Sequence, residues 1–422
     1  MISTILILVF ILGYLAIALE HNLRLNKAAP ALITGVLCWV IFVLSGGTSH
    51  EQVEKELVSH FGEIASILFF LLGAMTIVEL IDSYNGFSLI TRRIKTTSTA
   101  RLMITVSLLT FFLSALLDNL TTAIVMTSLC SKIIREKELR LWFCGMIIIA
   151  ANAGGVWSPL GDVTTTMLWI GGQITALNIM KQLILPAIAV LLVPLGFMLL
   201  KFRKHKFLPL DTDEHHTKES TDSRIILMGG IGLLLMVPIF KTLTGLPPVM
   251  GMLLALGIIW IITAILKKVD PPGAAHKVSV AQALQKIDAP GILFFLGILL
   301  AVAALQSYGL LQNMAALLSA HLKNDYLIGT SLGLLSAIVD NVPLVAATQG
   351  MYDLNTYPTD HSFWEFIALT TGTGGSAIII GSAAGVAVMG IEQVDFMWYL
   401  KKISWLALAG FFAGILIFLL ML

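Results

Sequence analysis

Two short stretches place an acid and an amide side by side inside apolar sequence. "SALLDN" at 114–119 carries Asp118 and Asn119, and "SAIVDN" at 336–341 carries Asp340 and Asn341. Carboxylate and amide oxygens are ligands that small hard cations prefer. An ionised acid inside a membrane is costly unless it is paired, hydrated or protonated. The repeated pair therefore predicts a site for a cation or a proton.

A third acid, Asp162, lies in the glycine-rich stretch "NAGGVWSPLGDVTTT" at 152–166. The proline of this stretch lacks an amide hydrogen and its glycines weaken the helix, so backbone carbonyls are freed beside the carboxylate. Glycine clusters taken alone more often mark close helix packing. The corresponding stretch at 371–385, "TGTGGSAIIIGSAAG", has Ser382 at the position of Asp162. We therefore expect Asp162 to distinguish ion binding from a purely structural role.

Structural roles compete with ion binding at each of these positions. Asp118 and Asp340 precede helical segments, where an aspartate often caps the helix N-terminus, and the two asparagines can do the same. A hydroxyl in a helix more often bonds to a preceding carbonyl than to an ion. No lysine lies among the candidate acids, so the sequence does not indicate which acid releases a proton. The remaining polar candidates are Thr122, Asn152, Ser158, Thr164, Thr165, Ser336, Ser376 and Ser382.

The composition indicates what surrounds these residues. Of the 422 residues, 57% are hydrophobic and 12% are charged, with a mean hydropathy of +0.91, which is typical of a protein whose surface mostly meets lipid. A net charge of +1 offers no basis for a nucleic-acid partner. The 3 cysteines have no CxxC spacing and predict neither disulfides nor a metal cage. The expected class is an all-α polytopic membrane protein that needs no cofactor.

Apolar segments long enough to cross a membrane recur along the chain. They are 2–19, 30–46, 64–82, 102–131, 141–172, 180–200, 225–240, 248–266, 290–309, 327–351, 364–390 and 403–421. Basic residues flank 102–131 on both sides, and the positive-inside rule makes both flanks cytoplasmic. That segment is therefore predicted to be a re-entrant hairpin with Asp118 near its tip. The same rule gives about ten full crossings, a second hairpin at 327–351, and both termini outside.

An internal repeat relates the two halves of the chain. "LFFLLGAMTIVELIDSYNG" at 68–86 resembles "LFFLGILLAVAALQSYG" at 293–309. Each unit has an odd number of crossings, about five, plus a hairpin, so the second copy is inverted. The predicted domains are a first repeat at 1–200 (hairpin 102–131, broken helix 141–172), a cytoplasmic linker at 201–223, and a second repeat at 224–422 (hairpin 327–351, broken helix 364–390). Inverted repeats whose broken helices meet at mid-membrane are the architecture of secondary transporters.

Together, these hairpins and broken helices resemble the NhaD-type sodium/proton antiporters of the ion transporter superfamily. The resemblance covers essentially the whole chain. It implies exchange of cytoplasmic Na+ or Li+ for external H+, a homodimer with an elevator-like transport domain, and a multi-pass location in the bacterial inner (plasma) membrane with its lipid. The functional positions that it implies are Asp118, Asn119, Asn152, Asp162, Thr164, Thr165, Ser336, Asp340, Asn341, Ser376 and Ser382.

Other functions remain open at this point. The hypothesis that sodium and protons compete for Asp162 with Asp118 or Asp340 makes exchange obligatory, because neighbouring carboxylates hold a proton until sodium replaces it. An anion carrier of the same superfamily, for arsenite or dicarboxylates, is the main alternative, although aspartates at the hairpin tips repel an anion. A cation channel is less favoured, because two unlike halves suit alternating access better than a symmetric filter. No motif indicates an enzyme.

Overall fold

The protein is described by a computed structural model that covers residues 2–18, 25–45, 49–87, 96, 98–203, 205, 221–268, 278–322 and 324–422. Within these ranges every regular element is a helix. Most of the predicted linker at 201–223 lies outside the described residues. So do several basic residues that the positive-inside rule places in the cytoplasm, namely Arg24, Arg92, Arg93, Lys95, Lys204 and Lys206.

Eight helices make up the described part of the first half. They are α1 (Ile2–Ala18), α2 (Ala28–Leu44), α3 (His50–Ser83), α4 (Thr99–Leu117), α5 (Asn119–Ile133), α6 (Lys137–Gly155), α7 (Val163–Ile170) and α8 (Ala176–Phe202). The second half follows the same order with short additions. Its helices are α9 (Thr221–Thr244), α10 (Pro248–Lys268), α11 (Val280–Leu284), α12 (Ala289–Ser307), α13 (Leu310–Leu322), α14 (Asp325–Leu335), α15 (Asn341–Met351), α16 (Ser362–Gly374), α17 (Ala383–Glu392), α18 (Phe396–Lys402) and α19 (Ser404–Met421).

Many of these helices are built to cross a membrane. Among the described residues, 7 helices are long and apolar enough to do so, namely α3, α4, α8, α9, α10, α12 and α19. The apolar helices α1 and α2 have 17 residues each, close to the length that spans a hydrocarbon core. Large apolar side chains are exposed on these surfaces, such as Leu12, Ile33 and Leu200. Since a surface of this kind is stable only against lipid, the predicted polytopic membrane class is confirmed.

The helices pack into two bundles. In the first, which we call the α2/α12 bundle, α2 packs on α12, α3 on α10, α1 on α2 and α9 on α10. Helices α2 and α12 approach unusually closely, because a Cβ atom on Gly35 would lie 2.6 Å from the carbonyl oxygen of Gly297. The indole of Trp39 donates to the carbonyl of Leu300 at 3.0 Å across the same contact. The small residues at the crossing thus allow the two helix backbones to pack in close contact.

The second bundle contains the interrupted helices. In this α6/α16 bundle, α4 packs on α6, α14 on α16, α5 on α17 and α8 on α19. The chain leaves helical conformation at Asp118, at 156–162, at 336–340 and at 375–382. Asp118 alone separates α4 from α5. Its backbone φ is 85°, a positive value that residues other than glycine rarely adopt. Each interruption exposes the N-terminus of the next helix, and these ends position the candidate site.

Candidate functional site

Asp162 lies at the centre of a hydrogen-bonded group that joins the two halves of the chain. The residue is only 2% exposed. Its Oδ2 accepts a hydrogen bond from Asn119 Nδ2 at 3.0 Å, and both of its carboxylate oxygens lie 3.4 Å from Asn341 Nδ2. Because Asn119 begins α5 and Asn341 begins α15, the two repeated Asp-Asn stretches meet at a single carboxylate.

Asn152 extends this group to the interruption between α16 and α17. Its Oδ1 accepts from Asn119 Nδ2 at 3.1 Å, and its Nδ2 donates to the hydroxyls of Ser376 at 2.8 Å and Ser382 at 3.0 Å. Asn152 is fully buried. A buried polar group is stable only when its hydrogen bonds are made, so these bonds fix the relative positions of four interrupted segments.

Four helix N-termini are capped by polar side chains at these interruptions. Asp118 accepts from the Thr121 amide, Asp162 from Thr164, Asp340 from Val342 and Ser382 from Gly385, at 2.7, 3.0, 3.2 and 3.2 Å. The capping role that competed with ion binding is therefore real for all three acids, and it does not exclude a second role. A helix N-terminus carries about half a positive charge. Bare helix ends of this kind suit an anion, whereas carboxylates placed on them make the region negative.

Asp118 borders a cavity next to this hydrogen-bonded group. The cavity has a volume of about 80 Å³, and Asn119 and Thr166 also line it. Its other walls are mainly apolar side chains of α3 and α12, including Phe70 and Phe294. The space is large enough for a small ion with a few water molecules. Asp118 thus borders the cavity, whereas the buried Asp162 does not line it.

Asp340 has a partner that the sequence did not indicate. Its Oδ2 lies 3.6 Å from the Nζ of Lys27, and the two side chains are 19% and 28% exposed. The expectation that no lysine lies among the candidate acids is therefore wrong. Lys27 directly precedes α2 and is distant from Asp340 in sequence, so only the folded chain brings them together. In the sequence Lys27 resembled an ordinary basic residue flanking a membrane helix.

The three acids do not form one tight cluster. Within the described parts of the chain, no three His, Cys, Asp or Glu side chains are close enough together to hold a metal ion. Asp118 and Asp340 each directly precede an asparagine that contacts Asp162. The arrangement is one fully buried acid with a separate acid on either side of it.

The predicted hydroxyls divide into two groups. Thr164 Oγ1 donates to Asp162 Oδ1 at 3.0 Å and belongs to the site. Thr165 donates to the Ser158 carbonyl at 2.8 Å, Ser158 accepts from the Leu160 amide at 3.2 Å, and Ser336 donates to the Thr371 carbonyl at 2.8 Å. These three bonds hold the interrupted backbone. The buried hydroxyl of Thr122 makes no hydrogen bond within the described structure.

The amino-acid sequence was compared with known proteins. Residues 8–374 match the family described as Citrate transporter (CitMHS). Sodium/proton antiporter 1 of Arabidopsis thaliana is 47% identical over 414 residues, which cover 98% of this chain and 71% of that protein. The Na(+)/H(+) antiporter NhaD of Vibrio cholerae is 30% identical over 450 residues, which cover 98% and 91%.

The chain belongs to the NhaD-type sodium/proton antiporter family. The predicted family is thus confirmed, and it lies within the wider group that the citrate transporter description covers. The predicted bacterial location stays a prediction, because the relatives of the NhaD-type chain include plant proteins.

The structure connects about half of the residues predicted for the NhaD-type site. Those joined by direct side-chain hydrogen bonds are Asn119, Asn152, Asp162, Thr164, Asn341, Ser376 and Ser382. Those that lie outside this group are Asp118, Thr122, Ser158, Thr165, Ser336 and Asp340. The predicted coordination of sodium by Asp118, Asp162 and Asp340 with Asn119 and Asn341 stays a prediction.

Proposed function

We propose that this chain exchanges cytoplasmic Na+, or Li+, for external H+ across a membrane. The observation that carries the proposal is the position of Asp162, a buried carboxylate that accepts hydrogen bonds from amides of both halves. A fully buried acid is stabilised either by a proton or by a bound cation. Since the two cannot occupy the same oxygens together, sodium leaves when a proton arrives and the reverse. Competition of this kind couples the two fluxes.

Asp118 is the second acid of the proposed site. It lines a cavity together with Asn119, whose amide contacts Asp162, so a cation in the cavity lies beside this carboxylate. The amide oxygens of Asn119 and Asn341 supply neutral ligands once their side chains rotate, because an amide carries a donor and an acceptor on the same group. Lithium, which has the same charge and is smaller and harder, uses the same oxygen ligands.

The proposed architecture is a pair of inverted repeats that move as an elevator. The packing supports it, since α4 packs on α6 as α14 packs on α16 in the other half, and the contact of α3 with α10 between the halves corresponds to that of α12 with α2. The interruptions at Asp118 and at 336–340 correspond to the tips of the two proposed re-entrant hairpins, near the membrane centre. We propose that the α6/α16 bundle moves against the α2/α12 bundle, within a homodimer, and that both termini face outward.

The electrostatics favour a cation over an anion. Four helix N-termini would attract a carboxylate or an oxyanion such as arsenite if they were bare. Asp118, Asp162 and Asp340 instead cap three of them with negative charge. The citrate transporter description belongs to the matching family as a whole. We therefore place this chain with the sodium/proton exchangers rather than with carriers of organic anions.

Purified protein in liposomes tests the proposal. With an acidic lumen and a pH-sensitive dye, Na+ or Li+ added outside is expected to release lumenal protons, whereas citrate and arsenite have no effect. Asp162→Asn keeps a residue that caps helices equally well but removes the charge, so it is expected to abolish the response. Asp395→Asn is the matched control, because Asp395 caps α18 from an exposed position. A response to citrate but not to sodium, or wild-type exchange by Asp162→Asn, would contradict the proposal. Discrete single-channel currents would indicate a channel.

A further inference from the structure

Lys27 joins the two bundles beside the proposed ion site. Its Nζ lies 3.6 Å from Asp340 Oδ2 and 4.3 Å from the centre of the Phe294 ring. Phe294 is fully buried in α12, and Lys27 directly precedes α2. The ammonium group is therefore held by the α2/α12 bundle, while Asp340 ends the interruption that follows α14, a helix of the other bundle that packs on α16.

The anchoring of Lys27 is rigid on its own side. Asn26 caps the start of α2 by accepting from the Ala28 amide at 2.9 Å. A short distance along the helix, α2 meets α12 at the close approach of Gly35 and Gly297. The backbone of Lys27 is thus fixed to the α2/α12 bundle, and its ammonium group is placed between the Phe294 ring and Asp340.

Lys27 also faces the cavity beside the proposed ion site. It lines the same cavity as Asp118 and Asn119. Among the described residues, Asp340 is the only one of the three acids that has a basic side chain within 4.0 Å. The pair is only partly exposed, so its charges are screened less than those of a surface pair. The lysine thus compensates one of the three candidate acids; Asp288, an exposed residue that caps α12, lines the cavity as well.

We propose that Lys27 is a positioning residue that holds the Asp340 carboxylate away from the transported cation, so that sodium is bound by Asp162 and Asp118 alone. The inference rests on the proposed function. Three uncompensated acids would bind sodium too tightly for rapid release, while the ammonium group lowers the negative potential of the cavity. Asp340 in turn prevents the bare lysine from repelling the ion.

Sodium titrations of exchange in proteoliposomes, all at one alkaline pH, test this assignment. At an effective dielectric constant of about 20, one unit charge about 10 Å away changes the affinity for a monovalent cation about tenfold. Lys27→Met is therefore expected to lower the half-saturating sodium concentration about tenfold, with a lower maximal rate because release is slower. Asp340→Asn is expected to raise the half-saturating concentration about tenfold. Lys27→Met/Asp340→Asn is expected to return within about threefold of the wild type.

Two further variants separate charge from folding. Lys27→Arg keeps the charge and is expected to behave like the wild type. Lys286→Met is the matched control, because Lys286 pairs with Glu79 at 3.2 Å elsewhere in the α2/α12 bundle. It is expected to leave the sodium titration unchanged. Opposite shifts in the two single variants and their cancellation in the double variant are not produced by a merely structural ion pair.

The inference is overturned if Asp340→Asn and the double variant lose sodium dependence equally, since Asp340 would then be a direct sodium ligand. It is also overturned if both single variants shift the titration in the same direction. The rise in unfolding temperature with NaCl, relative to choline chloride, compares the sodium affinities of the same variants without requiring transport. Wild-type liposomes without exchange would contradict the proposed function, whereas the stabilisation measurements would still decide the role of Lys27.

Discussion

The two halves of the molecule build their interruptions with the same backbone contacts but place different charges on them. Ser114 donates to the Ala151 carbonyl at 2.6 Å, and Ser336 donates to the Thr371 carbonyl at 2.8 Å in the same place of the second half. The glycines correspond as well, because a Cβ atom at Gly154 would collide with the Phe111 carbonyl oxygen, and a Cβ atom at Gly374 would collide with the Gly333 carbonyl oxygen.

The charges do not follow this correspondence. Asp162 caps α7, whereas Ser382 caps α17. In the second half Asp340 is paired with Lys27, whereas Asp118 borders the cavity without such a pair among the described residues. Backbone geometry and charge are therefore separable in this fold. Both halves have the interruption, whereas the two acids of the proposed sodium site, Asp118 and Asp162, lie in the first half.

Removing the Asp162 carboxylate, or moving it to the corresponding position 382 of the second half, is expected to have the largest effect on exchange. Asp162→Ser should reduce exchange about 100-fold or more, since it removes hydrogen bonds to a charged group worth about 3 kcal/mol. The double variant Asp162→Ser/Ser382→Asp should stay below about a tenth of the wild-type rate, because Ser382 contacts Asn152 rather than Asn119 and Asn341. Dye-based exchange in liposomes measures both. Recovery to half of the wild-type rate would show that the two halves are interchangeable.

Replacing Gly154 or Gly374 by alanine is expected to destabilise the fold, and to the same extent in the two halves. Gly154→Ala and Gly374→Ala each force a Cβ atom into a backbone carbonyl oxygen, and overpacking of this kind costs about 3 kcal/mol. The unfolding temperature in detergent, measured by intrinsic fluorescence, should fall for both. Gly62→Ala is the control, since nothing lies within 4 Å of a Cβ atom there. A loss confined to one half would contradict the structural equivalence.

Removing the side-chain amides of Asn119 and Asn341 one at a time is expected to show that the two Asp-Asn pairs contribute unequally to sodium binding. Asn119→Ala removes the 3.0 Å bond to Asp162 and the bond to Asn152, so the half-saturating sodium concentration should rise about tenfold. Asn341→Ala removes longer contacts of 3.4 Å and should raise it about threefold. Sodium titrations of exchange check the order. A larger effect at Asn341 would show that the second half contributes more to the site than the distances indicate.

The smallest effects are expected at the paired serines. Ser114→Ala and Ser336→Ala each leave a buried carbonyl without its hydroxyl donor, which costs about 1 kcal/mol. Both should lower the unfolding temperature slightly and leave the sodium titration unchanged. A change in sodium affinity for either variant would show that the hydroxyl contacts the ion.

Much of the site was predictable from the sequence because its signals are local. An aspartate followed by an asparagine in an apolar run marks an interruption, since the acid can cap the next helix, and both pairs do so here. The glycines and the proline near Asp162 also predicted a break in the helix, because both residue types weaken a helix, and the break lies at 156–162. Lys27 was not predictable, because a basic residue at the end of an apolar helix is common whatever its contacts are.

The sequence by itself determined that the surface faces lipid, where the apolar helices are interrupted, and which acids are buried. Each of these depends on residue type and spacing over a short stretch. Only the tertiary structure decided which acids act together. It brought Asn119 and Asn341 to the same carboxylate, left Asp118 on the cavity wall and paired Asp340 with Lys27. Electrostatic interactions depend on distances between residues far apart in the chain, and those distances exist only once the two bundles have packed.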